Sequence, residues 1–138
     1  MNVRRLEERF RRDPAAIRLG NLAANLARIS SSVPGQQEWP FVLHNIRESK
    51  YFIEWMAPEL PSGFWEFLVE MQVRLAQAEQ SGLQVWTDRT SDELRLRIRE
   101  WSDALIQIVL AMRNDPEYVP ATFPVVFGKP VPRVAASP

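Results

Sequence analysis

The sequence predicts an all-α protein: an antiparallel four-helix bundle with a basic N-terminal arm and an extended proline-rich C-terminal tail. Apolar residues recur at spacings of three and four over most of the chain before residue 115, which is the pattern of a buried helix face. Six of the eleven prolines follow residue 115, where they disfavour helix. We expect one helical domain over 1–114, with the arm at 1–12, and a tail over 115–138. A three-helix core with the arm apart is a close variant.

The first helix of the bundle is predicted to begin at Asp13, as N-cap, and Pro14, in the first turn. An apolar stripe follows at spacings of 4, 3, 4 and 3, and the segment from Ser30 to Gly35 ends the helix. A second strip contains small residues and predicts close approach of a neighbouring helix. The apolar stripe is Ala15, Leu19, Leu22, Leu26 and Ile29, and the small strip is Ala16, Gly20, Ala24 and Ala27.

The second helix is predicted to begin at Pro40 and to end near Met56, before Pro58. Its residues divide between two faces. One is a predicted core arc of Phe41, Val42, Ile46, Phe52, Ile53 and Met56, and the other is a flanking line of His44, Glu48, Tyr51 and Trp55. Side chains with an apolar body and a polar tip suit a half-buried boundary. The flank either packs on an adjacent helix or forms a partner surface.

The third helix, predicted over 63–81 with Gly82 as its C-terminal cap, is apolar on two sides. A helix of this kind is either central in its own fold or half of an interface, and the second case predicts self-association. The main stripe is Phe64, Phe67, Leu68, Met71, Leu75 and Ala78, and the opposite stripe is Trp65, Val69, Val73 and Ala76.

The fourth helix is predicted to begin at Thr90, which has capping-box spacing to Glu93, and to end at "NDP". Six apolar residues follow heptad spacing along it. Three others lie away from this seam and point to an additional contact. The seam is Leu94, Ile98, Trp101, Leu105, Ile108 and Met112, and the outlying residues are Leu96, Ile106 and Leu110.

Composition limits the functional classes. Lys plus Arg (17) equals Asp plus Glu (17), so no net field draws the chain to nucleic acid or to an anionic membrane. Cysteine is absent, which removes thiol chemistry and fits a reducing compartment. The N-terminus has no apolar signal core, and no stretch approaches the roughly 20 apolar residues of a membrane-spanning helix. We expect a soluble, cytoplasmic protein without a transmembrane segment.

The residues of most catalytic and metal sites are also missing. His44, the single histidine, lies one turn from Glu48, but no second His and no Cys could complete a transition-metal site. Glu66 and Glu70 lack the Glu-x-x-His pairs of di-iron bundles. The five glycines are scattered, so no phosphate-binding loop is formed. We expect no metal, no cofactor and no enzymatic activity, although carboxylate catalysis stays open because its groups could meet on folding.

The two ends of the chain suggest further contacts. The arm carries five arginines against two glutamates, and the spacing of Val3, Leu6 and Phe10 predicts one apolar helical face. The arm could contact phosphates or an anionic bilayer, or extend into solvent. A second basic cluster comprises Arg95, Arg97 and Arg99. The tail segment "FPVVF" places Phe123, Val125 and Phe127 on one side of an extended chain, which could fill a groove on its own bundle or on a partner.

The chain also resembles known proteins in four segments, which are "NLARIS" (25–30), "RESKYFIEW" (47–55), "VWTD" (85–88) and "REWSDALIQ" (99–107). Over residues 19–110 the chain resembles small helical proteins of unassigned function from cyanobacteria. The resemblance implies a cyanobacterial cytosolic protein and assigns no activity and no functional residues.

Two hypotheses follow. The first is a non-enzymatic helical protein-protein interaction module that self-associates as a homodimer, with a protein partner of unknown identity as the alternative occupant. The second is a nucleic-acid-associated regulator that binds through the arm. The partner-binding residues of the first are Tyr51, Trp55, Trp65, Val69, Val73, Phe123 and Phe127, and the nucleic-acid residues of the second are Arg4, Arg5, Arg9, Arg11 and Arg12.

Overall fold

The structure is a computed structural model that describes residues 2–32, 37–87, 90–115, 117, 125–126 and 129–130. Within these ranges the chain is all-α apart from one short antiparallel strand pair, as the sequence predicts for the fold class. The elements are α1 (Val3–Arg12), α2 (Ala15–Ser31), α3 (Trp39–Met56), a 3₁₀ turn (Ala57–Glu59), α4 (Trp65–Thr87), α5 (Thr90–Asn114), β1 (Val125–Val126) and β2 (Lys129–Pro130).

The start of α2 differs from the prediction. Pro14 occupies the N-cap position and no side chain caps the helix. Asp13 instead ends α1, where its backbone N–H donates to the Phe10 carbonyl at 3.3 Å. Asp13 has this position because the preceding residues form a helix of their own, α1, and its backbone is extended there. The N-cap of that helix is Asn2, whose side chain accepts a hydrogen bond from the Arg5 N–H at 3.1 Å.

α4 continues beyond its predicted end. The prediction of a break at Gly82 is confirmed, since this residue has a non-helical φ of 69° and ψ of −157°. The first helical segment therefore ends at Gly82 as predicted, and a second segment, which was not predicted, continues from the kink to Thr87. Glycine tolerates a positive φ because it has no Cβ, so the chain kinks at this point without steric cost.

The core lies between α2, α3, α4 and α5. α2 contacts α3 and α5, α3 contacts α4, and α4 contacts α5. Two hydrogen bonds join neighbours across the core: Ser102 Oγ donates to the Ala23 carbonyl at 2.8 Å, and Gln72 Nε2 donates to the Lys50 carbonyl at 3.0 Å. The largest fully buried side chains are Trp101, Phe64, Leu19, Leu22, Leu26, Ile29, Ile46, Leu68, Met71 and Leu75.

α1 packs against the rest of the fold, so the expectation of a solvated arm is wrong for its apolar face. Leu6 and Phe10 are buried, and the Phe10 ring stacks on Phe52 with centroids 4.4 Å apart. The centroids of Phe10 and Trp55 are 5.7 Å apart. Amphipathic spacing predicted this face, and α3 is the surface that it covers.

Three predicted packing positions are wrong. Phe41 is 47% exposed in the first turn of α3. Ala15 is exposed at the first turn of α2. Gly20 does not permit a close helix approach, since a Cβ placed on it would meet no atom within 4 Å. The close contact of α2 with α5 uses Ala23 instead.

After Glu117, the described part of the tail is an antiparallel strand pair in which Val125 pairs with Pro130 and Val126 with Lys129. Cα atoms of β1 lie within 8 Å of those of α5. Phe123 and Phe127 lie outside the described residues, so their predicted contacts stay predictions.

Candidate functional site

The second apolar stripe predicted on α4 lies at the surface. Trp65 is 50% exposed, Val69 is 60% exposed and Val73 is 49% exposed. These residues follow one another at intervals of four, so they form one row on the side of α4 that faces away from the core. We refer to Trp65, Val69 and Val73 as the α4 face.

An apolar groove of about 420 Å³ adjoins the α4 face at the junction of α3 and α4. Trp65 forms part of its wall, and the indole Nε1 donates to the Ala57 carbonyl at 3.0 Å. The one polar atom of the indole is therefore satisfied within the protomer, which leaves its ring available for apolar contact. The groove is lined by Ile53, Glu54, Ala57, Pro58, Trp65, Leu68, Val69 and Gln72.

Carboxylates surround the α4 face. Glu54 lines the groove and is exposed, Glu66 is exposed in the first turn of α4, and Glu70 is half-buried one turn later. We call these three glutamates the acidic rim. An apolar centre with a charged border is the usual anatomy of a protein interface.

The exposed apolar residues of α5 are more dispersed. Leu96 is 62% exposed, and Leu110 is 51% exposed nearly four turns away. Charged residues separate them, including Arg99 and Asp103, whose Nε and Oδ1 atoms are 3.8 Å apart. Ile106 is 43% exposed and lies one turn from Leu110, so the described part of α5 has one exposed apolar pair and, far from it, the single residue Leu96. The α4 face is therefore the more compact apolar surface of the two.

The flank of α3 is largely internal. Trp55 was predicted at a half-buried boundary, but it is only 8% exposed because Phe10 covers it. Tyr51 is half-buried and stacks on Trp55, with ring centroids 5.4 Å apart. Trp55 thus has little surface left to offer a partner, whereas the boundary position predicted for Tyr51 is confirmed.

A polar cleft of about 420 Å³ lies between α1, α2 and α3. Its centre is Asn25, which is 2% exposed and connects two charged groups. Arg28 Nη1 donates to Asn25 Oδ1 at 2.8 Å, and Asn25 Nδ2 donates to Glu48 Oε1 at 3.1 Å. His44 Nε2 lies 3.4 Å from the second Glu48 oxygen. The pairing of His44 with Glu48 follows from their spacing, but the cleft was not predicted.

The arginines of the arm divide between two sides of α1. Arg4 pairs with Glu8 at 3.6 Å, and Arg11 pairs with Glu7 at 2.7 Å. The others line grooves: Arg5 and Arg9 lie beside His44, and Arg9 and Arg12 line the polar cleft. Among the described residues, Arg5, Arg9 and Arg12 have no carboxylate partner within 4.0 Å. Of the five arginines predicted to bind nucleic acid, only Arg5, Arg9 and Arg12 therefore lie on the side of α1 that lines the grooves.

The second basic cluster is also divided. Arg95 is half-buried and donates to the Ser32 carbonyl, which ties the start of α5 to the end of α2. Burial lowers its pKa, although Asp92 acts in the opposite direction. Arg99 pairs with Asp103, so two of the three arginines make contacts within the protomer.

Glu79 forms the best-connected ion-pair site between α3 and α4. Arg47 Nε and Lys50 Nζ contact its two oxygens at 2.8 Å and 3.0 Å. Burial alone would raise the pKa of Glu79, but hydrogen bonds and charge interactions with Arg47 and Lys50 together outweigh burial and lower it. The group is a structural ion pair rather than a proton donor.

The described ranges contain no group of three or more His, Cys, Asp or Glu side chains placed to hold a metal ion. None of the helices in the described part of the chain combines the length and hydropathy that a membrane crossing requires. Comparison of the chain with protein-family models, curated protein sequences and solved structures finds no match in any of the three. The resemblance to cyanobacterial proteins stays a prediction.

Proposed function

We propose that this chain is a non-enzymatic helical interaction module that self-associates, and that the α4 face is where a second copy binds. The observation that carries the proposal is the row of Trp65, Val69 and Val73, each about half exposed, beside an apolar groove. The indole ring of Trp65 is already fixed by its hydrogen bond to Ala57. A partner would therefore meet an ordered apolar surface, which lowers the entropy cost of binding.

The exposed area is large enough to contribute to a dimer. A tryptophan buries up to about 250 Å², so half of it leaves about 125 Å² to be covered, or about 3 kcal/mol at about 25 cal/mol/Å². Val69 and Val73 add about 1 kcal/mol each on the same scale. Two copies together gain about 10 kcal/mol before the association cost, which is of similar size. A weak, concentration-dependent dimer is the expected result.

The finer architecture belongs to the same proposal. An antiparallel four-helix bundle of α2 to α5 is supported by the contacts of α2 with α3 and α5, of α3 with α4, and of α4 with α5. With α1 packed on α3, this bundle would leave the α4 face as its main apolar surface. The tail, including Phe123 and Phe127, is proposed as an accessory docking segment, and the absence of cysteine supports a cytoplasmic location.

The molar mass of the full chain in solution tests this function. We expect light scattering to give about 16.0 kDa at low micromolar concentration and to approach twice that mass at about 100 μM. A constant mass of one chain up to that concentration would contradict self-association. A stable mass above two chains would require a second interface in addition to the α4 face.

A further inference from the structure

The polar cleft lies on a different side of α3 from the α4 face, and its shape and charge indicate a binding site. Arg9 and Arg12 reach it from α1, and Arg28 reaches it from α2. Its volume of about 420 Å³ is within the range of small-molecule sites, about 300 to 1,000 Å³. Leu6, Phe10 and Phe52 line the same cleft, although each is at most 9% exposed and presents only an edge of its side chain there.

The polar wall of the cleft is held in place before any ligand arrives. Asn25 is almost fully buried and contacts Arg28 at 2.8 Å and Glu48 at 3.1 Å. The hydrogen bond from Arg28 Nη1 to Asn25 therefore orients the Arg28 guanidinium group. The other guanidinium N–H groups do not contact Asn25. One carboxylate oxygen of Glu48 accepts the hydrogen bond from Asn25, and the other oxygen lies near His44. Preorganised donors of this kind favour tight anion binding.

The charges favour a small anion. Arg9 and Arg12 have no carboxylate within 4.0 Å among the described side chains, and with Arg28 they place three guanidinium groups around one cleft. Asp13 and Glu48 are the carboxylates in the lining. The excess of positive charge is small, so it suits a ligand with one or two negative charges better than a polyanion.

We propose that the cleft between α1, α2 and α3 binds a small amphipathic anion, whose carboxylate or phosphate group is held by Arg9, Arg12 and Arg28. Guanidinium groups match both oxyanions in geometry. The apolar body of the ligand lies against Leu6 and Phe10. This site is independent of self-association and of the proposed function, because it uses other residues on another side of the fold.

Thermal unfolding with phenyl phosphate and with benzoate tests the site and distinguishes the two anion types. Inorganic phosphate tests the need for an apolar body, and sodium chloride at matched ionic strength is the control. At about ten times the dissociation constant, the midpoint is expected to rise by about 5 °C with at least one aromatic anion. A rise that sodium chloride reproduces in full would overturn the proposal.

Single substitutions test whether the ligand that raises the unfolding midpoint binds in the polar cleft. Arg12→Gln and Arg28→Gln are expected to remove most of the shift, whereas Arg4→Gln is expected to keep it, because Arg4 pairs with Glu8 and does not line the cleft. Val69→Glu on the α4 face is also expected to keep it. An equal loss in Arg4→Gln would indicate a general charge effect and would overturn the cleft as the site.

Chemical-shift mapping on the unchanged chain guards against variants that fail to fold. Phenyl phosphate is expected to move the amide signals of residues 9–13 and 24–28 and the side-chain amide of Asn25. Signals that move only outside these segments would contradict the proposal. A short single-stranded oligonucleotide is expected to bind weakly, and tighter binding than phenyl phosphate with equal dependence on Arg4 and Arg12 would favour the nucleic-acid hypothesis instead.

Discussion

Replacing Val69 by glutamate is the most informative perturbation of the α4 face. Val69 is the most exposed of the three residues, at 60%, and glutamate is the better helix former, so the protomer itself should tolerate the change. In a dimer through this face, however, the carboxylate would enter the apolar contact beside the acidic rim. The variant therefore separates association from folding.

The expected loss of dimer stability in Val69→Glu follows from the exposed fraction of Val69. Covering the remaining 60% of Val69 is worth about 1 kcal/mol in each copy, or about 2 kcal/mol for a symmetric pair. Burying two carboxylates without partners adds at least about 1 kcal/mol more. The total of about 3 kcal/mol corresponds to an increase of about 100-fold in the dissociation constant. The free energy of unfolding of the monomer should change by less than about 0.5 kcal/mol.

Sedimentation velocity over a concentration series gives the dissociation constant, and urea unfolding gives the stability of the monomer. Leu96→Glu is the matched control, because Leu96 is 62% exposed on α5 and lies away from the α4 face. We expect Leu96→Glu to leave the dissociation constant within about threefold of the original. An unchanged constant in Val69→Glu, or an equal loss in both variants, would refute the assignment of the interface.

Four further outcomes are expected. Phe10→Ala should lower the free energy of unfolding by about 3 kcal/mol, because the ring is buried against Phe52, and should expose the arm to trypsin. Ser49→Ala should raise the free energy of unfolding by about 1 kcal/mol, because the buried Ser49 hydroxyl has no hydrogen-bond partner among the residues that the structure describes, whereas Ser102→Ala should lower it by a similar amount. The lowered pKa of Glu79 stabilises the fold above its ordinary value of 4.5, and this contribution is lost as pH falls through the lower folded-state pKa, so Glu79→Gln should flatten the stability profile there. Added salt should strengthen the dimer by screening repulsion between the acidic rims of two copies.

Each of these outcomes has a contrary result. Unchanged urea midpoint and trypsin sensitivity in Phe10→Ala would mean that α1 does not pack as described. Equal destabilisation by Ser49→Ala and Ser102→Ala would show that the Ser49 hydroxyl has a partner. If the free energy of unfolding of Glu79→Gln varied with acid pH as it does in the original chain, Glu79 would not contribute to the pH dependence of stability. A dimer weakened by salt would show that attraction between charges, rather than apolar contact, holds the copies together.

Local signals predicted the helices well. Pro40 and Pro58 bracket the second predicted helix, and α3 spans Trp39–Met56. Thr90 and "NDP" bracket the last, and α5 spans Thr90–Asn114. Proline acts on its own backbone and that of its neighbours, and capping acts within one turn, so these boundaries depend on nearby residues alone. Amphipathic spacing likewise separated two apolar stripes on α4, and the structure shows that the main stripe is mostly buried and the second is mostly exposed.

Contacts between distant residues were less predictable. The spacing of Leu6 and Phe10 indicated an apolar face on the arm, but not that Phe52 and Trp55 would cover it. Trp55 was therefore placed at a boundary although it is buried. Periodicity identifies the faces of one helix and contains no information on which other helix packs there.

The polar cleft depends on the same kind of information. In the sequence, Asn25 is a polar residue between Leu22 and Leu26 of an apolar stripe, and this was the one available signal of a buried polar site. Its hydrogen bond to Glu48 joins residues 23 positions apart, so the pairing could not be read from spacing within one helix.

Cross-linking through single cysteines tests most directly whether the α4 face meets a second copy. The chain has no cysteine, so Val69→Cys or Val73→Cys introduces a unique thiol that keeps an apolar side chain in the face. With a short bismaleimide at about 100 μM protein, we predict covalent dimers from both variants and little product from Leu110→Cys on α5. Monomer alone from the two α4 variants, or equal yield from all three, would contradict the account.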